Sequence, residues 1–192
     1  MNFTKRDEFA NYLNQSGLVG TGAEIGVQNG FYSEILLNFW KGKCLFSIDA
    51  WQNFEEDKYV DIANITTEQH LDLYADTSLK LRTFGERSII WRMTSYEASR
   101  IIPDESLDFC YLDADHSYKG VLNDIKLWMP KIKKGGVICG HDYIRDGVHY
   151  TEEEVLIGDF GVKKAVAEYI RKFNWKLHTT DNDQYPSWFA HI

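Results

Sequence analysis

Ala23-Glu24-Ile25-Gly26-Val27-Gln28-Asn29-Gly30 is the stretch on which the reading of this chain turns. Its first five residues are a short β-like run, a turn of small and polar residues follows, and Phe31, Ile35, Leu36 and Phe39 then recur at helical spacing. Cys44-Leu45-Phe46-Ser47-Ile48-Asp49 reads as a second strand. Strand, turn, helix and strand in that order make a right-handed crossover between parallel neighbours. The alternation continues through Ser88-Ile89-Ile90-Trp91-Arg92, Leu107-Asp108-Phe109-Cys110-Tyr111-Leu112 and Gly136-Val137-Ile138-Cys139. Between these runs lie helical patterns at Leu71, Tyr74, Ala75 and Leu79, opened by a Thr66/Gln69 capping box, and at Val121, Leu122, Ile125 and Trp128, stopped by Pro130. The pattern predicts a doubly wound α/β domain with a mostly parallel sheet covered on both faces. After a helix carrying Val162, Ala165, Val166, Tyr169 and Ile170, runs at 175–179 and 187–191 flank an Asn182-Asp183-Gln184 turn, which predicts a terminal hairpin and one antiparallel strand.

Twenty-one Lys and Arg against 29 Asp and Glu leave the 192-residue chain at −8, which argues against a sequence-blind binder of the nucleic-acid backbone. With 44% hydrophobic residues the chain has material for one core, so residues 1–192 are read as a single domain, with 1–19 as an N-terminal helix. No apolar run approaches the roughly 20 residues of a membrane span. The N-terminus turns acidic before any apolar segment, and Cys44, Cys110 and Cys139 sit inside apolar runs. Both features predict a cytoplasmic protein with reduced, buried thiols. The connections at 51–87 and 143–160 exceed what a crossover needs and are read as substrate-side insertions.

Ligands of open α/β sheets bind beyond the carboxyl ends of the strands. There, Gly26 allows a tight turn, Gly30 lets the helix start close to the sheet, and Glu24 sets a carboxylate beneath the turn. Asp49 ends the second strand, where an acid can accept two hydrogen bonds from a ribose diol. A pyrophosphate turn requires a glycine where this chain has Gln28 and Asn29, and the acids would repel phosphate. A ligand with a sulfonium and an ammonium suits these carboxylates better.

These residues carry a resemblance. Glu24 to Gly30, Ser47-Ile48-Asp49-Ala50-Trp51, the run ending Asp113-Ala114-Asp115-His116-Ser117-Tyr118, and Gly140-His141-Asp142-Tyr143 resemble class I S-adenosylmethionine-dependent methyltransferases over about residues 20–172. The nearest subgroup is the small-molecule O-methyltransferase type with Asp-Ala-Asp-His-Ser-Tyr and Gly-His-Asp-Tyr segments. The resemblance implies a seven-stranded sheet with an antiparallel last strand. It implies S-adenosylmethionine as cofactor, with Glu24, Gly26, Gln28 and Gly30 around the methionine portion and Asp49 and Ala50 on the ribose. Thr94 and Ser95 fall near the adenine, although Thr94 also reads as a plain helix cap, and Asp113 completes the cofactor set.

Asp113 and Asp142 end adjacent strands and could face one cation. The arrangement is similar to that of metal-dependent O-methyltransferases of catechols, acyl-CoA phenolics and macrolide sugars. Those enzymes usually place an Asp or Asn beside the second acid, where this chain offers His141 before and Tyr143 after. The expected set is Asp113, Asp142 and His141 around a divalent ion such as Mg²⁺ or Mn²⁺. His116 stands three residues past Asp113, the spacing of the base in the macrolide-sugar enzymes, with His141 as its competitor and Asp113 beside both. The helix starting at Ser117 is expected to hold His116 neutral. The other histidines, His70, His149, His178 and His191, read as surface or packing residues.

The expected activity is methyl transfer to a hydroxyl of a small molecule, with no nucleic-acid or membrane partner; a homo-oligomer is left open. Two alternatives are a metal-dependent hydroxylase on the same fold and a non-catalytic nucleotide-binding protein. Trp51, Tyr59, Trp128 and Tyr143 are candidates for an acceptor pocket, or for the core.

Overall fold

A computed structural model describes residues 1–55, 61–151 and 156–192. In chain order the strands are β1 (Thr21–Ile25), β2 (Cys44–Asp49), β3 (Ser88–Arg92), β4 (Leu107–Leu112) and β5 (Ile132–Gly140). Four more follow: β6 (Gly147–Tyr150), β7 (Leu156–Phe160), β8 (Leu177–Thr179) and β9 (Trp188–His191). Seven of them form one sheet in the order β3-β2-β1-β4-β5-β9-β8, parallel except that β9 runs antiparallel to β5 and β8. The doubly wound sheet and its terminal hairpin are therefore as the sequence pattern predicts. Strand order reverses between β1 and β4, so a crevice opens beyond their carboxyl ends.

The helices are α1 (Phe9–Gln15), α2 (Phe31–Phe39), α3 (Thr67–Leu81), α4 (Ser95–Ser99), α5 (Tyr118–Trp128) and α6 (Val162–Phe173). One sheet face packs on α1, α2 and α3 through Phe9, Leu36, Trp40, Trp51 and Phe109; the other packs on α4, α5 and α6 through Ile48, Ile125, Trp128 and Val166. Full burial of each such side chain contributes about 1.5–3 kcal/mol. Cys110 and Cys139 are buried free thiols, while Cys44 is half-buried. No helix among the described residues is long and apolar enough to cross a membrane.

Three readings of the sequence need correction. The N-terminal helix does not fill 1–19: a 3₁₀ turn at Arg6–Glu8 precedes α1, which ends where the Gly17 and Leu18 amides close back onto Asn14 and Leu13. On α2 the buried face is Tyr32, Ser33, Leu36 and Leu37, and Phe31 and Phe39 are 55% and 58% exposed. Polar contacts turn it: Tyr32 donates to the Arg6 carbonyl at 3.1 Å and Ser33 to Glu24. On α3, Leu71 and Leu79 are exposed while Thr77 is buried, because Thr77 donates to the Gln28 carbonyl at 2.9 Å and packs the helix on the glycine turn.

The connection at 143–160 is not open loop throughout, since β6 and β7 pair as an antiparallel hairpin. Asp61, from the β2–α3 connection, bridges to Gly158 of this hairpin, and the Ile62 amide donates to Ile157 at 2.7 Å. Two segments distant in sequence are thereby joined above the strand ends.

Candidate active site

The first wall of the crevice is the β1–α2 turn. Gly26 has φ +86°, and a Cβ there would lie 1.9 Å from the Asp113 carbonyl, so both backbone angle and space demand glycine. Asp49 organises the turn. Its Oδ2 accepts from the Val27 and Gln28 amides at 2.9 Å each, and its Oδ1 accepts from the Trp51 amide at 2.7 Å. Three of roughly four acceptor sites on the carboxylate are thus used, leaving one for a ribose hydroxyl rather than the two expected from the sequence. Gln28 (φ 49°) faces the crevice, and its carbonyl accepts from Trp51 Nε1 and Thr77. Gly30 (φ 72°) is the N-cap of α2.

Glu24 is 1% exposed. Burial pushes its pKa up to about 8, with the Ser33 hydrogen bond and the Arg6 charge opposing and Asp113 reinforcing. At neutral pH Glu24 is a neutral acid, not the carboxylate the sequence suggests beneath the turn.

The crevice is a cavity of about 900 Å³ that reaches from Thr94, Ser95 and Tyr96 past Asp49 and Ala50 to Gly26, Asp113 and His116. Thr94 does cap α4, its hydroxyl accepting from the Glu97 amide at 3.2 Å, and it lines the cavity as well. Ser95 donates to Asp124 and accepts from Trp128 Nε1 at 2.9 Å. Burial raises the Asp124 pKa to about 7, against the Ser95 hydrogen bond. Asp124 escapes sequence reasoning, yet it sits at i+3 from Val121 and i−4 from Trp128, on the buried stripe of α5. An acid on such a stripe is the signal that could have found it.

At the other end, side chains from three segments converge on one imidazole. His116 Nδ1 lies 2.7 Å from Asp61 Oδ2, and its Nε2 lies 3.1 Å from Asp142 Oδ2 and 3.4 Å from Asp113 Oδ1. His141 Nδ1 is 3.3 Å from the same Asp142 oxygen and 3.8 Å from Asp113 Oδ1. Phe160 of β7 stacks on the His116 ring, centroids 5.2 Å apart. Burial disfavours charge on His116, but the hydrogen bonds of Asp113 and Asp61 and the charge of Asp142 outweigh it and lift the pKa well above the ordinary value. The helix start therefore does not hold His116 neutral; three carboxylates near the ring overrule a dipole that acts at one end only. His141 is raised in the same way, burial again losing to Asp113 and Asp142, and Asp142 is lowered despite its burial by His141 and His116. Asp113, His141 and Asp142 each offer a ligand atom within 4.8 Å of the others. Two carboxylates and an imidazole at that spacing fit a divalent cation chemically.

Asp61 and Arg6 also face the cavity and escape sequence reasoning, because neither belongs to a motif and both reach the site only through tertiary packing. Among the described residues the aromatic lining is Phe31, Tyr32, Phe54 and Tyr96. Trp51 and Trp128 are instead fully buried core, Tyr143 packs against the α5–α6 side under Lys163, and Tyr59 lies outside the described residues.

A family profile described as a methyltransferase domain matches residues 23–143. No curated protein matches the chain in sequence. Among solved structures, an O-methyltransferase from Bacillus cereus in complex with S-adenosylhomocysteine superposes with a TM-score of 0.63 at 14% identity, covering 97% of this chain and 80% of that one. An rRNA methylase from Streptococcus thermophilus gives 0.61 at 12% identity over 99% and 98%. A Burkholderia thailandensis 1,6-didemethyltoxoflavin N1-methyltransferase, with that compound and S-adenosylhomocysteine bound, gives 0.58 at 12% over 97% and 76%. At such identities these likenesses speak for the fold.

Proposed function

The chain belongs to the methyltransferase-domain family, and on that premise we propose that it transfers a methyl group from S-adenosylmethionine to a hydroxyl oxygen of a small molecule. The observation that carries this reading is His116, fixed by Asp61 on one nitrogen and facing the Asp113–Asp142 pair with the other, at the end of the cavity opposite Thr94 and Ser95. The cavity's polar lining fits the cofactor: an acceptor site left on Asp49 for a ribose hydroxyl and the acid Asp113 near the turn, with Thr94 and Ser95, their hydroxyl protons given to Glu97 and Asp124, at the far end. When bound, the cofactor supplies an electrophilic methyl on a sulfonium.

The chain's own task is then positioning and removal of one proton. Asp49 holds a ribose hydroxyl. With Nδ1 engaged by Asp61, Nε2 of His116 is the atom that takes the acceptor proton. His116 does this only when neutral, so turnover rises with pH. Asp113, His141 and Asp142 would hold a divalent cation, which would supply a Lewis acid that lowers the acceptor's pKa. An imidazole among carboxylates suits Mn²⁺ better than Mg²⁺. A net charge of −8 and the hairpin packed over His116 support a small acceptor over RNA.

Calorimetry with S-adenosylhomocysteine and NAD, followed by transfer of labelled methyl to a panel of phenols and sugars with and without chelator, tests the proposal. Binding of the sulfur nucleoside alone and chelator-sensitive label on oxygen are expected. Tighter binding of NAD, or label on nitrogen, overturns it.

A further inference from the structure

Arg6 is the one Lys or Arg among the described residues that line the Gly26 end of the cavity, and it comes from the 3₁₀ turn ahead of α1. Its backbone is held at both ends: the amide donates to Asp183 Oδ2 at 2.9 Å and the carbonyl accepts from Tyr32 at 3.1 Å. The guanidinium lies over the Tyr32 ring, 4.8 Å from the centroid, beside the Tyr111 phenol. Among the described residues it forms no ion pair within 4.0 Å, although Glu24 and Asp113 share its surroundings. Glu24 is held neutral by burial near pH 7, and the Asp113 carboxylate acts on the guanidinium only from beyond ion-pair distance. An Arg fork with a pinned backbone and an aromatic floor is set for a planar anion.

Position along the sheet says which part of a ligand meets it. Thr94 and Ser95 follow β3, Asp49 ends β2, the glycine turn follows β1, and Asp113 follows β4, so the strand order lays these landmarks out in line. If the nucleoside spans the β3 and β2 ends, its tail reaches the β1 and β4 ends, about two to three strand spacings of roughly 4.8 Å away. We propose that Arg6 is a carboxylate-binding residue that recognises the α-carboxylate of the cofactor's amino-acid tail. The inference rests on the proposed use of S-adenosylmethionine. The same chemistry could instead serve an anionic acceptor, which the test separates.

The test is calorimetry of S-adenosylmethionine and of decarboxylated S-adenosylmethionine, which keeps the adenosine, sulfonium and amine and lacks only the carboxylate. Wild type, Arg6→Gln and Arg6→Lys are compared, each first checked for an intact thermal transition. Wild type is expected to prefer the carboxylated form by about tenfold or more, the worth of one charge-assisted contact. Arg6→Gln should reduce that preference to under about threefold by weakening only the carboxylated form, and Arg6→Lys should restore part of it. Equal losses for both nucleosides in Arg6→Gln, or an undiminished preference, overturn the assignment; the second result, joined to a raised KM for an acidic acceptor, would place the anion on the acceptor instead. Wild type that binds neither nucleoside refutes the cofactor reading itself, and is told apart because the variants then have nothing to change.

Discussion

The β1–β2 end of the cavity is built mainly from backbone: a glycine at φ +86°, a left-handed Gln28, and three amides tied to one carboxylate. The β4–β5 end is built from side chains, with Asp61, Asp113 and Asp142 around His116 and His141 beside them. The first wall is preorganised by hydrogen bonds within one crossover unit. The second is preorganised by opposed charges from separate segments, each of which would be costly to bury alone. On the proposed function a shape-reading end faces a proton-handling end, and substitutions should split binding from turnover accordingly.

The largest effect is expected from His116→Ala. Removing a general base lowers turnover by about 10²–10⁴-fold, while cofactor affinity should stay within about threefold of wild type. A comparable fall in both would erase the distinction between the two ends, and His141→Ala in the same assay shows which imidazole carries the chemistry.

Asp61→Asn should lower turnover by about 10–100-fold, since the partner that orients the ring is weakened. It should also move the inflection of the pH–rate profile. The folded pKa of His116 is raised, in part by Asp61, so loss of that charge lowers it and the profile should shift toward lower pH. An unmoved inflection with lower turnover would leave Asp61 a packing residue only.

Asp49→Ala should weaken S-adenosylhomocysteine at least about tenfold in calorimetry, with turnover at saturating cofactor closer to wild type. A turnover loss that saturation does not recover would show that the glycine turn also positions the acceptor.

The last effect, outside both binding and turnover, belongs to Glu24→Gln and is read from stability without ligand. Glu24 has a folded pKa of about 8 against an ordinary 4.5, so the native state holds a proton that the unfolded chain releases. Its contribution is therefore full below pH 4.5 and is lost as pH rises toward about 8. The unfolding free energy of wild type should fall relative to the variant by up to about 1.4 kcal/mol per pH unit across that window, and the difference should flatten above it. Parallel curves from denaturant titrations at several pH values would mean that Glu24 is ionised in the folded protein.

The alternation of strands and helices, the reversed terminal strand and the glycine turn were all legible in the chain, because each is written in near neighbours: a period, a capping box, a residue type that a turn demands. β2, β3 and β4 begin and end where the apolar runs do. Helix faces were read less well. Periodicity finds a stripe on α2, but Tyr32 and Ser33, drawn inward by Arg6 and Glu24, set which stripe is buried. The site divides along the same line. Asp113, His116, His141 and Asp142 follow strands that pair directly, and their position at strand ends can be counted. Arg6, Asp61 and Asp124 reach the cavity by packing, and the charge states of Glu24 and His116 follow from it too. Short-range patterns set where the chain turns, whereas ionisation depends on solvent excluded and charges assembled by residues far apart in sequence. Only the folded arrangement puts a buried acid against Ser33 and an imidazole among three carboxylates.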